Sequence, residues 1–399
     1  MADVSWVSNN IPKTDCYKSM SLMNPDTINK IREFHKSFPQ YAVTPLVSLQ
    51  NLASELGVGG IYIKDESYRF GLNSFKALGC TYAIAAYIAQ RLGISVWELD
   101  YKTLPEAAAK LGEFTFFAAT DGNHGRAVAW AARELGQKAV IYMNKGCPQV
   151  RLDHIKREGA TASISDLNYD DTIRYVTKLA RETPNSEIVQ DTAWEGYEDI
   201  PGWIMQGYAV MVLEAYEQLQ AKNQQPTHLI IQAGVGAFAG SAQALISNLY
   251  GDNDPISFVV EPGVANCYHK SAVKGDGTPE SVGGDMKTIM AGLACGEPSH
   301  ISWDIMKNKS DYFVTIEDKH AAKAMRVLAA PLTGDTRIIS GESGASGMGF
   351  LLPLLKNENL AELREKAGIN KDSKFLLFST EGDTDPHNYK KIINGDILS

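Results

Sequence analysis

The segment GLNSFKALGCTYAI, which spans residues 71–84, places Lys76 at the start of a predicted amphipathic helix. Asn73 and Ser74 are favoured N-cap residues, so we expect Lys76 in the first helical turn. The positive end of a helix dipole disfavours an ammonium group, which predicts a lowered pKa and a more nucleophilic amine for Lys76. Because most lysines on helix surfaces have no chemical role, the rest of the chain must decide whether this one does.

The composition is that of an ordinary globular protein with room for two domains. The chain has 399 residues, of which 44% are hydrophobic and 21% are charged. A net charge of −9 argues against nonspecific binding to nucleic acid. No apolar run reaches the length of a membrane span, and residues 1–15 lack the pattern of a signal peptide. These features predict a globular protein with neither nucleic acid nor membrane as a partner.

The cysteines predict a cytoplasmic protein with free thiols. The five of them are widely spaced and form no CxxC pair, which is typical of a reducing compartment and argues against structural zinc. A bridge between Cys267 and Cys295 is the alternative. The eight histidines show no HxxH or HxxxH spacing, so we predict no metal site.

Strand and helix patterns alternate along most of the chain. The predicted strands are 61–64, 114–119, 138–143, 161–164, 187–190, 228–232, 257–261, 313–316 and 375–378. The predicted helices are 26–38, 49–56, 76–92, 126–135, 150–158, 170–182, 205–219, a helix ending at 249, 318–330 and 346–355. Such alternation predicts an α/β fold with parallel sheets, helices on both faces and ligands at the carboxyl ends of strands. Residues 1–40 are expected to form a polar arm with one short helix, and residues 275–296 an irregular segment.

Two loops follow buried strands and are rich in glycine. One is TDGNHG, residues 120–125, and the other is GVGAFAG, residues 234–240. Glycines between a strand and a helix let backbone N–H groups approach an anion at the helix N-terminus. The second loop has the spacing GxGxxxG, and Glu261 ends the next strand, which would also suit a dinucleotide. A phosphate site, a nicotinamide site and a simple tight turn all remain open from this loop alone.

In this order, the SFK lysine, the GNHG loop and the glycine-rich loop resemble the fold-type II pyridoxal-phosphate enzymes, relatives of threonine dehydratase and the tryptophan synthase β chain. The resemblance runs from roughly Thr44 to Asp385. It implies two three-layer αβα domains with mainly parallel sheets. Residues 1–84 and 225–399 would form a large cofactor-binding domain, and residues 85–224 a small domain that carries the substrate-carboxylate loop. The resemblance also suggests a homodimer.

The resemblance implies roles for individual residues around pyridoxal 5′-phosphate. Lys76 stands where the family's lysine forms a Schiff base with the cofactor, and Asn123 where an asparagine hydrogen-bonds its 3′-oxygen. The matching phosphate cradle consists of Gly234, Val235, Gly236, Ala237 and Gly240. The matching loop for the substrate carboxylate consists of Thr120, Asp121, Gly122, Asn123 and His124.

The resemblance also implies a partner for the pyridine nitrogen. Either Ser379 or Thr380 would place a hydroxyl against that nitrogen, and the sequence leaves the choice open. A hydroxyl leaves the ring largely neutral, which suits β-elimination better than transamination. Glu342 falls where the family begins a helix near the ring.

Two aspartates distinguish this chain from the dehydratases of the family. Asp121 stands where their loop usually carries a small residue, and Asp191 follows a predicted strand. A carboxylate beside a phosphate and a substrate carboxylate is costly unless the substrate brings a second ammonium, as 2,3-diaminopropionate does. The alternatives are that Asp121 caps the following helix and that Asp191 is an ordinary turn residue.

The resemblance therefore implies a carbon–nitrogen lyase. We expect α,β-elimination of 2,3-diaminopropionate, in both the D and L forms, to pyruvate and two ammonia, with Lys76, Asp121 or Asp191 as the base. The main alternative is a serine or threonine dehydratase on the same scaffold. A nicotinamide-dependent oxidoreductase built on the GxGxxxG loop and Glu261, and a non-catalytic binding protein, are the remaining alternatives.

Overall fold

Two β-sheets organise the chain, and the computed structural model describes residues 3–398 of it. The strands are β1 (Val4–Ser8), β2 (Leu46–Ser48), β3 (Gly60–Asp65), β4 (Thr115–Thr120), β5 (Lys138–Met143), β6 (Thr161–Ile164), β7 (Ser186–Ile188), β8 (His228–Gln232), β9 (Ile256–Pro262), β10 (Tyr312–Ile316) and β11 (Lys374–Ser379). The larger sheet has the order β1-β10-β9-β8-β11-β3-β2, and the smaller has the order β6-β5-β4-β7.

The sheets are mainly parallel, as the sequence predicts. All neighbours in the smaller sheet are parallel, and only the edge strands β1 and β2 of the larger sheet run antiparallel to theirs. Every residue of the central strands β3 and β8 is buried, which is expected for strands covered by helices on both faces. The predicted α/β fold class is confirmed.

Helices connect the strands and cover the sheets. They are α1 (Tyr17–Ser21), α2 (Pro25–Lys36), α3 (Gln50–Leu56), α4 (Lys76–Leu92), α5 (Leu104–Ala109), α6 (Asn123–Glu134), α7 (Gln149–Arg157), α8 (Tyr169–Glu182), α9 (Asp199–Gln220), α10 (Ala237–Tyr250), α11 (Cys267–Lys274), α12 (His300–Lys309), α13 (Asp318–Ala329), α14 (Ser346–Lys356), α15 (Ala361–Lys366) and α16 (Pro386–Ile393). The sequence pattern did not predict α1, α5, α11, α12, α15 or α16.

The amino-terminal residues depart from the predicted polar arm. β1 pairs antiparallel with β10, with Val4 opposite Ile316 and Ser8 opposite Tyr312. The hydrophobic pattern of a five-residue edge strand is too short to distinguish the strand from a loop, because one face of an edge strand stays exposed. Residues 275–296 contain only one short turn of 3-10 helix, at Ala291–Leu293, which agrees with the predicted irregular segment.

Close packing between α4 and α9 positions the start of α4. A Cβ on Gly207 would lie 2.3 Å from the carbonyl oxygen of Leu78, and a Cβ on Gly79 would lie 2.5 Å from the ring of Tyr208. Only glycine at these two positions lets the helices approach so closely. The approach brings Tyr208 of α9 beside Lys76 at the beginning of α4.

The predicted domain boundaries at 84 and 224 stay a prediction. The smaller sheet falls entirely between residues 115 and 188, and the strands of the larger sheet lie outside that range. However, α4 continues across position 84, and α9 packs against α2 and α10 as well as α4. The packing therefore ties α9 to helices of the predicted large domain.

No helix among residues 3–398 is both long and apolar enough to cross a membrane.

All five cysteines are free thiols, and the Sγ of Cys267 lies against the backbone oxygen of Cys295 at 3.9 Å. The alternative Cys267–Cys295 bridge is thus not formed.

Candidate active site

Lys76 begins α4, as predicted, but the cap differs from the predicted one. The N-cap residue is Phe75, and no side chain caps the helix. Asn73 instead adopts a left-handed conformation, with φ of +61°, and its amide donates to Asp383 at 3.1 Å. Ser74 contributes a weak contact, since its Oγ accepts from the Lys76 N–H at 3.4 Å.

The amine of Lys76 is paired with Asp191. Its Nζ lies 2.6 Å from Oδ2 of Asp191. Burial alone would lower the pKa of Lys76, but the carboxylate outweighs that effect and raises the pKa. The predicted lowering is therefore wrong for the free amine, because a buried carboxylate at contact distance is stronger than a helix dipole.

Asp191 is held ionised by its pairing with Lys76. It is 1% exposed and accepts a hydrogen bond from the hydroxyl of Tyr208 at 3.1 Å. Burial would raise its pKa, but the ammonium of Lys76 and the Tyr208 hydroxyl hold the pKa of Asp191 well below its usual value. An ordinary aspartate in a turn has neither this burial nor this pairing.

His124 stands beside this pair as a neutral imidazole. Its Nε2 donates to the carbonyl of Val189 at 2.7 Å, which places the proton on that nitrogen. Its Nδ1 lies 3.6 Å from the Sγ of Cys80 and 3.9 Å from Asp191. Burial lowers the pKa of His124, so the ring adds no positive charge to the pocket.

Asp121 pairs with a residue that the sequence did not single out. The guanidinium of Arg151, from α7, donates to Oδ2 of Asp121 at 2.9 Å, and it also lies 3.9 Å from Glu342. Asp121 does not cap α6, because the hydroxyl of Thr120 accepts the N–H groups of Gly122 and Gly125 instead. The capping alternative for Asp121 is therefore wrong.

The loop after β8 has the shape of an anion site. Gly236 has φ of +95° and precedes the first residue of α10, so the helix N-terminus faces this loop. A Cβ on Gly236 would lie 2.0 Å from the hydroxyl of Tyr268, and a Cβ on Gly234 would lie 2.8 Å from the carbonyl of Gly292. Both positions must therefore be glycine, and backbone without side chains lets N–H groups approach a phosphate closely. These residues fit the phosphate of the implied cofactor.

The carboxylate of Glu261 is already bound to backbone N–H groups at the start of α11. Its buried carboxylate accepts the N–H groups of Tyr268 and His269 at 2.9 and 2.7 Å, which caps α11. Burial raises its pKa to about 8. Glu261 is thus not free to bind a ribose, which removes the feature that supported a nicotinamide cofactor.

The two hydroxyl candidates for the pyridine nitrogen lie in different surroundings. Thr380 lines the pocket, whereas Ser379 donates to the Oγ of Ser340 at 2.8 Å away from it. The Oγ1 of Thr380 accepts from the amide of Gln232 at 3.1 Å, which leaves the hydroxyl hydrogen of Thr380 to donate. Glu342 does not line the pocket and accepts from Asn388 at 2.6 Å.

One pocket brings most of the predicted residues together. It is lined by Phe75, Lys76, Asp121, Asn123, Asp191, Gln232, Gly234, Val235, Gly236, Ala237, Phe238, Gly292, Leu293, Ser343, Thr380 and Glu381. Tyr208, Arg151 and Glu381 contact these residues but were not predicted. Glu381 directly follows Ser379 and Thr380 in the sequence, and its acidic side chain just after the predicted strand 375–378 was the available signal. Tyr208 and Arg151 lie within helices, and no sequence signal marked them as site residues.

Comparisons with known proteins agree with this site. The family model for pyridoxal-phosphate-dependent enzymes matches residues 38–370. A diaminopropionate ammonia-lyase of Salmonella typhimurium is 50% identical over 379 residues, which is 94% of each chain. The crystal structure of holo diaminopropionate ammonia-lyase from Escherichia coli has a TM-score of 0.92 at 43% identity, covering 99% of this chain and 98% of that one. A structure of the E. coli enzyme in complex with an aminoacrylate-PLP azomethine intermediate has a TM-score of 0.90 at 42% identity, with the same coverage.

The chain therefore belongs to the fold-type II family of pyridoxal-phosphate-dependent enzymes. Within that family, it belongs with the diaminopropionate ammonia-lyases.

Proposed function

We propose that this protein catalyses the α,β-elimination of 2,3-diaminopropionate, in both the D and L forms, to pyruvate and two ammonia. The observation that carries the proposal is the pairing of Lys76 with Asp191 in the pocket that also holds Asp121 and the bare glycine loop. The relatives at 50% and 43% identity bear the name of this activity. They favour it over a serine or threonine dehydratase.

The residues of the pocket fit pyridoxal phosphate. The backbone of Gly234–Ala237 and the N-terminus of α10 would hold the phosphate, and Lys76 would carry the cofactor covalently. Thr380 would donate to the pyridine nitrogen, and Asn123 would donate to the 3′-oxygen. When bound, the cofactor supplies the electron sink that stabilises negative charge at the substrate Cα.

The carboxylates suit a substrate with two amino groups. Asp121 and Asp191 both line the pocket, and the second ammonium of diaminopropionate would be attracted to this negative charge. Backbone N–H groups of residues 120–124 would hold the substrate carboxylate. Asp191, kept ionised by its surroundings, and Asp121, paired with Arg151, are two candidate bases besides Lys76. Two bases on opposite faces of Cα would let both enantiomers react.

The protein would form a homodimer in the cytoplasm. The free state of all five thiols supports a reducing compartment. Light scattering during gel filtration should give twice the chain mass of 43.6 kDa. A single-chain mass would remove the dimer from the proposal and leave the chemistry untouched.

The stoichiometry and the two aspartates together test the function. Diaminopropionate should release two ammonia per pyruvate, and serine only one. Asp121→Asn and Asp191→Asn keep the side-chain shape and remove the charge. Each should lower turnover of one diaminopropionate enantiomer by about 10²–10⁴, with a smaller effect on any serine activity.

The matched comparison is between enantiomers within one variant. If Asp121→Asn and Asp191→Asn depress D, L and serine turnover equally, the aspartates are structural. A parent enzyme that prefers serine or threonine would make it a dehydratase instead.

A further inference from the structure

Glu381 follows β11 and connects two parts of the pocket wall. Its Oε1 accepts the backbone N–H of Ser343 at 3.0 Å, and its Oε2 accepts the side-chain amide of Asn123. The side chain is 2% exposed, so water does not compete for these bonds. We propose that Glu381 is a positioning residue that fixes the amide of Asn123 with its nitrogen available to the 3′-oxygen of the cofactor.

A carboxylate determines which end of a neighbouring amide can face it. An ionised carboxylate only accepts hydrogen bonds, whereas an asparagine amide has a donating end and an accepting end. The Nδ2 of Asn123 must therefore face Glu381, because the flipped amide would set Oδ1 against a carboxylate oxygen. Nδ2 carries two hydrogens, and Glu381 takes one. The other remains for an acceptor in the pocket that Asn123 lines.

The backbone around Glu381 holds its carboxylate in place. The carbonyl of Glu381 accepts the N–H of Gly341 at 2.9 Å. A Cβ on Gly341 would lie 3.0 Å from Cγ of Glu381, and a Cβ on Gly344 would lie 2.8 Å from its carbonyl oxygen. Residues 341–344 thus wrap closely around Glu381, and the carboxylate has little freedom to turn away from Asn123.

Glu381→Gln keeps the shape of the side chain but reverses which end of the Asn123 amide can face it. Glu381→Gln has a single acceptor, and the N–H of Ser343 claims it because a backbone N–H can only donate. The NH₂ of the glutamine then faces Asn123, whose amide must turn its oxygen towards it. We expect the affinity of the apo-protein for pyridoxal phosphate to fall about ten- to hundredfold, the usual worth of a hydrogen bond to a charged group.

The test measures cofactor affinity by titrating the apo-protein with pyridoxal phosphate, in a double-mutant cycle with Asn123→Ala. If Glu381 acts through Asn123, Glu381→Gln weakens binding in the parent and has almost no further effect in Asn123→Ala. Equal losses in both backgrounds, or no loss in the parent, would overturn the inference. If the glutamine variant does not fold, Glu381→Asp, which shortens the carboxylate by one carbon, goes through the same cycle.

Asp383→Asn is the matched control. Asp383 also accepts an asparagine amide, but from Asn73, at 3.1 Å, rather than from Asn123. Its effect should therefore be the same with and without Asn123. The inference rests on the cofactor part of the proposed function. If the parent protein binds no pyridoxal phosphate, both the proposed function and the role of Glu381 are overturned. If the parent binds pyridoxal phosphate and Glu381→Gln binds it equally well, only the role of Glu381 is overturned.

Discussion

Lys76 and Asp191 are 115 positions apart in the chain, yet their charged atoms lie 2.6 Å apart inside the pocket. Each stabilises the charged form of the other, so the free amine is an ammonium and the carboxyl is a carboxylate. The hydroxyl of Tyr208 adds a second donor to Asp191. The protonation state of this site is therefore set by contacts between distant segments rather than by the helix that carries Lys76.

Tyr208→Phe tests that arrangement by removing one hydroxyl and keeping the ring. Asp191 loses a donor that favours its ionised form, so its pKa should rise. For the enantiomer that Asp191 serves, the acid limb of the pH profile of kcat/KM should therefore move to higher pH.

The other enantiomer is the internal control, and its profile should not move. Tyr82→Phe provides a second control, because Tyr82 is a buried tyrosine on α4 without a contact to Asp191. An unchanged acid limb for both enantiomers would mean that Tyr208 only fills space.

At the residue scale, the sequence allowed prediction of those site residues that belong to local motifs. Lys76, Asn123 and Thr380 stand in short segments whose order along the chain is distinctive, and all three line the pocket. Arg151 and Tyr208 could not be predicted, because each lies within a helix and reaches the site only through a hydrogen bond to an aspartate that is distant in sequence.

At the scale of elements, the glycine loop before α10 depends on backbone conformation. Gly236 has φ of +95° and faces the hydroxyl of Tyr268, which itself donates to the carbonyl of Val235 at 2.7 Å. The tyrosine thus holds the loop and also blocks any side chain there. A residue other than glycine would have to displace Tyr268 as well as adopt a strained backbone.

Gly236→Asp should lower the affinity for pyridoxal phosphate by orders of magnitude, because it adds both a clash and a like charge against a phosphate. The matched control is Gly251→Asp at the other end of α10. Gly251 also has a positive φ, of +57°, but nothing lies within 4 Å of its Cβ position. Equal cofactor affinity in the two variants would show that the loop is only a turn.

The boundaries of elements were harder to predict where side chains do not mark them. The helix after β4 was predicted to begin at 126, yet α6 begins at Asn123 with Gly122 as its N-cap residue, and the hydroxyl of Thr120 accepts the N–H groups of Gly122 and Gly125. Glycine at 122 and the polar residues that follow resemble a loop. This difference matters, since it places Asn123 and His124 in the first turn of a helix and fixes their directions.

At the scale of the whole molecule, a buried ionic cluster ties α9 to the larger sheet. Glu214 of α9 lies 2.7 Å from Lys64 of β3 and 2.7 Å from Arg69, and Arg69 also pairs with Glu66 at 2.8 Å. All four side chains are fully buried. The cluster lies at the start of the segment that leads to Lys76, so it fixes how that segment meets α9.

Glu214→Gln should destabilise the protein strongly, because it leaves Lys64 and Arg69 with one carboxylate between them. Removing one partner of a buried ion pair costs about 3–5 kcal/mol, which the shift of the urea unfolding midpoint would measure. Glu362→Gln is the control, since Glu362 and Lys366 form a surface pair at 2.9 Å. It should change stability by about 1 kcal/mol or less.

The pH dependence separates the charge of Glu214 from its shape. Burial would raise the pKa of Glu214, but Arg69 and Lys64 lower it from 4.5 to about 2. A depressed pKa in the folded state gives stability that is present above the unfolded value and is lost as the pH falls through the folded one. The stability gap between the parent and Glu214→Gln should thus be full above about pH 5 and shrink towards pH 2. A gap that stays constant over this range would mean that the variant acts through packing rather than through charge.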